Sequence, residues 1–473
     1  MNLKFLVLTY LFTNHMVLQR DHPLHFWGKG LPGANVTVTF AGEQRSTLVK
    51  TDSTWSLYAS PKKANIQPQQ LTITSGSEKI TLDDILIGDV WLCLGQSNME
   101  FPMSREAHFR AEAYDQPLIR LYNPSYIGKD EYGKPYTDSM LAALQTSTFY
   151  SKANWQRCDS NTVKAMSAVG YYFGKTIANR KQIPIGLINL AIGGCPAETF
   201  INKTVLSVAK TQGNWLTNNT LPVWVRTRGQ QNIAGNPHVP QDGQGPNHGY
   251  KPGFAYEAGV KTLMAMPIRG IIWYQGESNA QEQPRVDEYN ALMKTMIADY
   301  RKNWHQPNLP FYWVQLSSID TAHYPSQYWP AFRDQQRLLL NEVPYGGMAV
   351  CSDLGFKNDV HPTNKKEVGE RLARWALADP LPSGPLPMKA RYRNDTVVVT
   401  FRYGNLETSD QQPVRGFSLD GHTDVLAIIR GNTILIATPQ KPEAIFYAWK
   451  PYTDANLCNT AKLPASTFKL IIP

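Results

Sequence analysis

The alternation of apolar and polar residues near the start of the chain predicts β-strands. In NVTVTF, residues 35–40, Val36, Val38 and Phe40 alternate with polar residues, and a Leu-Pro-Gly turn lies just before them. The segments STWSLYA and QLTITSG follow in the same style. Strict alternation is typical of a strand that buries one face. Residues 1–85 are therefore expected to form a small antiparallel β-sandwich.

From residue 86 onward, short apolar runs alternate with longer segments of helical periodicity. This alternation is typical of a parallel sheet whose strands are joined by crossover helices. Leu292, Met296, Tyr300 and Trp304, for example, recur every four residues and predict a helix with one apolar face. The predicted strands are the five runs DVWLCL (89–94), IGLINLA (185–191), GIIWYQ (270–275), FYWVQL (311–316) and GMAVCSD (347–353).

The proline-rich segment DPLPSGPLP, residues 379–387, interrupts this alternation, and the runs DTVVVTF and NTILIA after it again predict strands. The expected domains are an N-terminal β domain over 1–85, a central α/β domain over 86–380 and a C-terminal β-rich region over 381–473. The glycine- and asparagine-rich stretch 228–253 is too polar for a core. We expect it to be a loop on the substrate side of the sheet.

The composition indicates a folded globular protein and excludes several classes of partner. Hydrophobic residues make up 42% of the 473 residues, which is ample for large cores. The net charge is +9, but the basic residues are scattered, so nucleic acid is not an expected partner. No apolar run approaches the ~20 residues that cross a bilayer, so no membrane span is expected. The five cysteines are far apart and predict neither a disulfide framework nor a zinc site.

The first residues, MNLKFLVLTYLF, share a lysine and a short apolar stretch with secretion signals. They lack a small-residue cleavage site, however, and continue directly into TNHMVLQRDHPLHFWG. A first β-strand is therefore favoured over a signal peptide at this end of the sequence.

Reactive and flexible residues follow the predicted strands at the point where each strand ends. Ser97 comes after the first strand, the pair Gly193–Gly194 after the second, the run 275–279 after the third, and Asp359 and His361 after the fifth. In open α/β sheets, ligands bind beyond the carboxyl ends of the strands. We therefore expect these residues to lie close together at one edge of the sheet.

These residue types match what attack on an ester carbonyl requires. Ser97 supplies a hydroxyl, His361 a base, and Asp359, on the same side of an extended loop, a carboxylate that orients the imidazole. The backbone N–H groups of Gly194 and Ser97 and the side-chain amide of Gln275 are the expected donors to the oxyanion. The alternative for Ser97 is an ordinary helix N-cap.

Three segments resemble the sialate O-acetylesterase family, a branch of the SGNH hydrolases related to acetyl-xylan esterases: GQSNME at 95–100, WYQGESNA at 273–280 and DVHPTNKKEVGERLA at 359–373. The likeness extends to NHMVLQRDHPLHFWG near the start and FYAWKPYTDANLCN near the end, so it covers nearly the whole chain. The resemblance implies an SGNH-hydrolase-like three-layer α/β/α fold, here with a five-stranded parallel sheet, flanked by β-sandwich-like parts. It also implies hydrolysis of O-acetyl groups on sugars without a cofactor or metal.

In this resemblance, Ser97 is the nucleophile and His361 is the base. Many SGNH enzymes carry the acid of the triad three residues before the histidine, where this sequence has Asn358. Asp359 is therefore the expected acid, and Asp353 is the alternative.

The resemblance also makes Gly194 and Gln275 the donors to the oxyanion. Whether Gln275 or Asn279 turns its amide inward stays open. Glu277 could act as a second acid or base, but a structural role as an acceptor for loop N–H groups or for an arginine is favoured. The polar residues of these motifs that are expected to contact the substrate are Gln96, Asn98, Glu277 and Asn279.

The expected function is that of a carbohydrate O-acetylesterase, in the first place a sialate O-acetylesterase, acting on an O-acetylated carbohydrate in the periplasm or outside the cell. An acetylesterase for plant polysaccharides such as xylan or pectin is the alternative with the same chemistry, because the shared motifs handle the acetyl group. A carbohydrate-binding protein with an inactive hydrolase core is the alternative of another class. Ser97, Asp359 and His361 argue against it. No feature of the sequence predicts an oligomeric state.

Overall fold

The computed structural model describes residues 6–112, 114–206 and 213–473. Its N-terminal part contains the strands Val7–Leu8, Val17–Gln19, Leu24–Lys29, Asn35–Phe40, Glu43–Leu48, Thr54–Ala59 and Asn65–Ser75. The first, third and sixth of these strands form one antiparallel sheet, and the fourth pairs with the fifth and the seventh. In the fourth strand, Val36, Val38 and Phe40 are buried, because the alternating pattern turns every second side chain toward the core.

One long strand, Glu78–Gly95, connects the N-terminal part to the central sheet. Its first half pairs antiparallel with Asn65–Ser75, and its second half pairs parallel with Ile185–Asn189 on one side and Gly270–Tyr274 on the other. The expected domain boundary between residues 85 and 86 therefore falls inside a single strand. The strand continues because its residues from position 84 to 95 are all buried, and a single hydrophobic core runs through both parts.

The central sheet has six parallel strands, one more than the five predicted. In spatial order its strands are Gln156–Cys158, Gln116–Tyr122, Ile185–Asn189, Glu78–Gly95, Gly270–Tyr274, Phe311–Gln315 and Gly346–Val350, of which the first is antiparallel to its neighbour. The strand that the prediction missed is Gln116–Tyr122. Arg120 interrupts its apolar pattern, and the buried guanidinium lies 3.2 Å from a carboxylate oxygen of Asp84.

Helices cover both faces of this sheet. A Cβ placed on Gly170, in the helix that begins at Ala168, would lie 2.9 Å from Sγ of Cys93 on the long strand. Trp273 aligns with Leu94, the next residue of that strand, and its indole N–H donates to Tyr289 on another helix at 3.1 Å. Because consecutive residues of a strand point to opposite faces, these two helices lie on opposite sides, which gives three layers.

The α-helices are Ser97–Glu100, Phe109–Glu112, Asp138–Ala142, Ala168–Lys181, Val223–Ile233, Lys261–Leu263, Gln283–Asn303, Trp329–Leu338 and Lys366–Ala376, and a π-helical turn spans Tyr256–Val260. Short 3₁₀ turns lie at Met103–Arg105, Thr162–Ala165, Ala197–Phe200, Leu339–Asn341 and Ser352–Leu354. The predicted apolar stripe falls on Gln283–Asn303, with Met296 and Tyr300 buried. Among the described residues, none of the helices is both long and apolar enough to span a membrane.

The C-terminal region is built of β-strands around a hydrophobic core of its own. The strands are Leu386–Arg393, Thr396–Arg402, Leu406–Thr408, Phe417–Ser418, Ile428–Arg430, Thr433–Ala437, Ala444–Tyr447, Leu457–Asn459 and Phe468–Ile471. The polar stretch 228–253 is only partly a loop: helix Val223–Ile233 covers its first residues, and Gln241–Asp242 pairs with Gly245–Pro246 in a short hairpin.

Candidate active site

Ser97 lies directly after the carboxyl end of the long central strand. Gly95 ends that strand at φ 137°, and a Cβ there would lie 2.0 Å from the carbonyl oxygen of Tyr274, so only glycine fits. The chain then turns into helix Ser97–Glu100, whose N-cap residue is Gln96. Ser97 is thus the first residue inside the helix, and its hydroxyl does not act as the N-cap.

The imidazole of His361 lies beside this hydroxyl. Nε2 of His361 is 2.8 Å from Oγ of Ser97, although the two residues are 264 positions apart in the sequence. Burial chiefly lowers the pKa of His361, and the charge of Lys365 lowers it further, whereas Asp359 opposes the shift. A neutral imidazole with its proton on Nδ1 accepts the Ser97 hydroxyl hydrogen at Nε2, as a general base must.

The two candidates for the acid occupy different environments. Asp359 accepts the backbone N–H of His361 at 2.8 Å, and its carboxylate lies 3.6 Å from Nδ1 of that residue. The second distance is an ion-pair contact and is too long for a hydrogen bond. Asp353 instead receives two hydrogen bonds from the guanidinium of Arg371, both at 2.7 Å. The structure therefore brings Asp359, and not Asp353, to the histidine.

The glycine pair is held in place by three hydroxyl groups. The N–H of Gly193 donates to the hydroxyl of Tyr126, and the hydroxyl of Tyr250 donates to the carbonyl of Gly193, each at 3.0 Å. Ser278 donates its hydroxyl to the carbonyl of Gly194, also at 3.0 Å. In a trans peptide, the N–H of Gly194 points away from the carbonyl of Gly193. Gly194 itself lines a cavity together with Ser97 and has φ 73°, which favours glycine.

Gln275 does not have a free amide hydrogen to offer to an oxyanion. Its fully buried side-chain nitrogen donates to Oδ1 of Asn279 at 2.6 Å and to Oε1 of Gln96 at 3.2 Å. Asn279 is equally engaged, since its Oδ1 also accepts the N–H of Ala197 and its Nδ2 donates to Glu198. This arrangement does not support the expected donor role of Gln275, and it turns neither amide toward Ser97.

The residues expected to contact the substrate are almost entirely buried. Gln96 and Glu277 are each 2% exposed and line a cavity, whereas Asn98 and Asn279 are 0% exposed. Gln96 accepts the backbone N–H of Ser278 at 3.2 Å and so braces the turn after the third predicted strand. Of these four residues, Gln96 and Glu277 line the smaller cavity beside Ser97, whereas Asn98 and Asn279 lie behind its wall.

Two cavities meet at Ser97 and His361. The larger has a volume of about 570 Å³ and is lined by basic and acidic side chains, among them Arg105, Lys129, Lys164, Glu100, Asp130 and Asp359. The smaller has a volume of about 220 Å³ and is lined by Gly194, by Arg228 and by the aromatic residues Tyr132, Trp224 and Tyr324. Apart from the position of Trp224 next to the polar stretch, no pattern in the sequence predicts these aromatic residues.

Comparison with known proteins places the chain in a family. The profile of a family described as "Carbohydrate esterase, sialic acid-specific acetylesterase" matches residues 247–378. The human sialate O-acetylesterase is 30% identical over 418 residues, which cover 80% of this chain and 72% of the human protein. This chain belongs to the sialate O-acetylesterase family. It is therefore an enzyme that hydrolyses ester bonds.

Other members of the sialate O-acetylesterase family and a solved structure agree with this assignment. The mouse sialate O-acetylesterase is 29% identical over 419 residues, covering 80% of this chain and 75% of the mouse protein. A crystal structure of a carbohydrate acetylesterase from Xanthomonas citri superimposes with a TM-score of 0.81 at 26% sequence identity, over 98% of this chain and 99% of the other. The similarity thus extends over the whole α/β and β-rich architecture.

Proposed function

We propose that this esterase removes acetyl groups from O-acetylated carbohydrates, with Ser97 as the nucleophile and His361 as the general base. The observation that carries the proposal is the 2.8 Å distance between Oγ of Ser97 and Nε2 of His361, at the carboxyl end of the parallel sheet. The names of its relatives support an acetylated sugar as substrate. The proposal includes a location of the enzyme in the periplasm or outside the cell.

In the proposed reaction, Oγ of Ser97 attacks the acetyl carbonyl carbon while Nε2 of His361 takes the hydroxyl proton. The tetrahedral intermediate collapses, the bond to the sugar oxygen breaks, and His361 returns the proton to that oxygen. The sugar leaves with a free hydroxyl, and Ser97 keeps the acetyl group. A water molecule, deprotonated by His361, then attacks the acyl carbon. The bond to Oγ of Ser97 breaks, His361 returns the proton to Oγ, and acetate leaves.

The proposed donors to the oxyanion are the backbone N–H groups of Ser97 and Gly194. Both residues line the smaller cavity, and the carbonyl of Gly193, held by Tyr250, turns the N–H of Gly194 to the other side of the peptide. Gln275 is left out of this set because its amide hydrogens are engaged. Asp359 is the proposed orienting acid, since its carboxylate faces Nδ1 of His361.

Arg105 favours an acidic sugar such as a sialic acid over a neutral plant polysaccharide. Lys129 is 3.4 Å from Glu100, and Lys164 donates to Asn161 at 3.0 Å. Within the described part of the chain, the guanidinium of Arg105 makes no hydrogen bond or ion pair, although it lines the larger cavity. A planar guanidinium binds a carboxylate through two parallel hydrogen bonds. Arg105 is therefore the proposed partner of the sugar carboxylate.

The central test compares acetate release from O-acetylated sialic acid and from acetylated xylan, with p-nitrophenyl acetate as a substrate without a sugar. Ser97→Ala should remove nearly all turnover of each substrate and all labelling by a fluorophosphonate probe. Ser104→Ala, which removes an exposed hydroxyl from the larger cavity, is the matched control. Unchanged turnover in Ser97→Ala would refute the nucleophile.

Arg105→Gln tests the sugar class separately. We expect a higher KM for O-acetylated sialic acid and an unchanged KM for p-nitrophenyl acetate, because only the first substrate carries a carboxylate. Faster release from acetylated xylan than from sialic acid, with no effect of Arg105→Gln, would favour the plant-polysaccharide alternative. If the protein binds either glycan but neither releases acetate nor reacts with the fluorophosphonate probe, it is better described as an inactive carbohydrate-binding protein.

A further inference from the structure

A buried lysine lies close to the proposed catalytic pair but has no part in the proposed chemistry. Lys365 is 0% exposed, and its Nζ donates to Oδ1 of Asn98 at 2.5 Å. The ammonium also lies over the rings of Phe101 and Tyr274, 4.8 and 5.5 Å from their centroids. Among the described residues, no carboxylate forms an ion pair with it. A charge that is buried without a direct counter-ion requires a specific explanation.

Asn98 connects this lysine to two acceptors. Its side-chain nitrogen donates to Oε1 of Glu277 at 2.5 Å and to the carbonyl oxygen of Val360 at 3.0 Å. An ammonium can only donate, whereas a carboxylate and a carbonyl can only accept. The amide of Asn98 therefore satisfies all three partners in one orientation only. Lys365 and Glu277 together fix that orientation.

The bridge joins the chain segments that carry the proposed nucleophile and base. Asn98 directly follows Ser97, and Val360 directly precedes His361. The hydrogen bond from Asn98 to Val360 thus lies one residue away from each partner of the 2.8 Å contact between Ser97 and His361. Glu277 fastens the same amide to the turn after the strand Gly270–Tyr274.

We propose that Lys365 is a positioning residue which, through the amide of Asn98 and against Glu277, holds the loop of His361 at hydrogen-bond distance from Ser97. This inference rests on the proposed function of that pair. A displacement of about 1 Å between reacting groups can cost a factor of roughly 100 in rate. Loss of the bridge should therefore lower kcat and leave the binding of the substrate largely intact.

The same lysine acts on the base through its charge. Burial is the main cause that lowers the pKa of His361, and the positive charges of Lys365 and Arg105 act in the same direction, against Asp359. Lys365 itself faces Glu277, Asp359, Glu106 and the thiol of Cys351, and burial lowers its own pKa to about 7. Burial raises the pKa of Glu277. Removal of the lysine charge should raise the pKa of His361.

The decisive variant is Lys365→Met, measured beside Lys366→Met. Lys366 is the next residue along the chain, is partly exposed and pairs with Glu112 at 2.7 Å, so it is a matched control for the loss of one positive charge. For Lys365→Met we expect kcat to fall by about 100-fold with little change in KM. The acidic limb of kcat/KM should move to higher pH. Lys366→Met should change neither.

A second readout does not depend on esterase activity. The pKa of His361, followed by NMR of the labelled imidazole and assigned with His361→Gln, should rise in Lys365→Met. An inactive wild-type protein would refute the proposed function, yet this titration would still test whether Lys365 acts on the histidine. A normal kcat together with an unshifted pKa of His361 in the folded variant would overturn the inference.

Lys365→Met leaves the negative charge of Glu277 buried without a nearby positive charge, so the single variant could unfold. The double variant Lys365→Met with Glu277→Gln removes both charges and keeps the test valid in that case. The double variant should also lose kcat and show the raised pKa of His361. Asn98→Ser removes the connecting amide and retains both charges. It should lose kcat as the double variant does, and wild-type kcat in either folded protein would contradict the positioning role.

Discussion

The hydroxyl of Tyr250 donates a hydrogen bond of 3.0 Å to the carbonyl of Gly193, the residue before the proposed oxyanion donor Gly194. Tyr250 comes from the end of the polar stretch 228–253, so this stretch reaches the site through a buried aromatic side chain. Because the carbonyl of Gly193 and the N–H of Gly194 belong to the same planar peptide, the tyrosine fixes the direction of that N–H.

Tyr250→Phe should therefore lower kcat more than it raises KM. The variant keeps the ring and removes only the hydrogen bond, so the donor loses alignment in the transition state, at a cost of at most a factor of about 100. Steady-state kinetics with p-nitrophenyl acetate measure kcat and KM separately. Tyr150→Phe, which removes a similar bond of 2.8 Å to the carbonyl of Leu190, is the control. Equal effects of both variants would contradict a specific role for Tyr250.

The two aspartates should affect different properties. Asp359→Asn is expected to lower kcat, because the carboxylate that faces the imidazole is lost, and to leave the fold intact, because Asp359 is exposed. Asp353→Asn should instead lower the free energy of unfolding by about 2 kcal/mol, since it weakens two charged hydrogen bonds to the buried Arg371. Kinetics and thermal unfolding of both variants measure the two effects. A large fall in kcat for Asp353→Asn, with a normal kcat for Asp359→Asn, would move the acid role to Asp353.

Gln275→Leu separates a structural role of the amide from a role as oxyanion donor. Its side chain bonds Gln96 and Asn279, and its Oε1 accepts the hydroxyl of Tyr289 at 3.1 Å. Loss of these buried partners should lower the free energy of unfolding by about 2 kcal/mol or more. The exposed Gln283→Leu should have no such effect. An unchanged midpoint of unfolding with a large fall in kcat would instead identify Gln275 as a donor.

The positions of Ser97 and His361 were predictable because each follows an apolar strand, and parallel strands end at a common edge of the sheet. The direction of the Gln275 side chain was not, since one of its partners, Gln96, is 179 residues away. A choice between hydrogen bonds of similar strength is made by the packed structure and leaves no periodic signal in the sequence.

Two further features depend on buried charges and were therefore not predictable from the sequence: the strand Gln116–Tyr122 and Lys365. Arg120 interrupts an apolar run in the sequence, but in the structure its guanidinium is buried and bonded to Asp84. Lys365 lies in one of the motifs, but in the sequence it cannot be distinguished from its neighbour Lys366. Hydrophobic patterning predicts which residues are buried by their own chemistry, and charged residues that are buried by their partners escape it.

The pH dependence of the wild-type enzyme should reflect the lowered pKa of His361. The base must be unprotonated to accept the proton of Ser97, so kcat/KM is retained above the pKa of His361 and lost as the pH falls through it. Because burial, with the charge of Lys365, lowers this pKa, the acidic limb should lie below about 6.5, the usual value for histidine. A pH profile of kcat/KM for p-nitrophenyl acetate, with circular dichroism at each pH to exclude unfolding, measures it. An acidic limb clearly above the usual value would show that Asp359 outweighs burial in the folded enzyme.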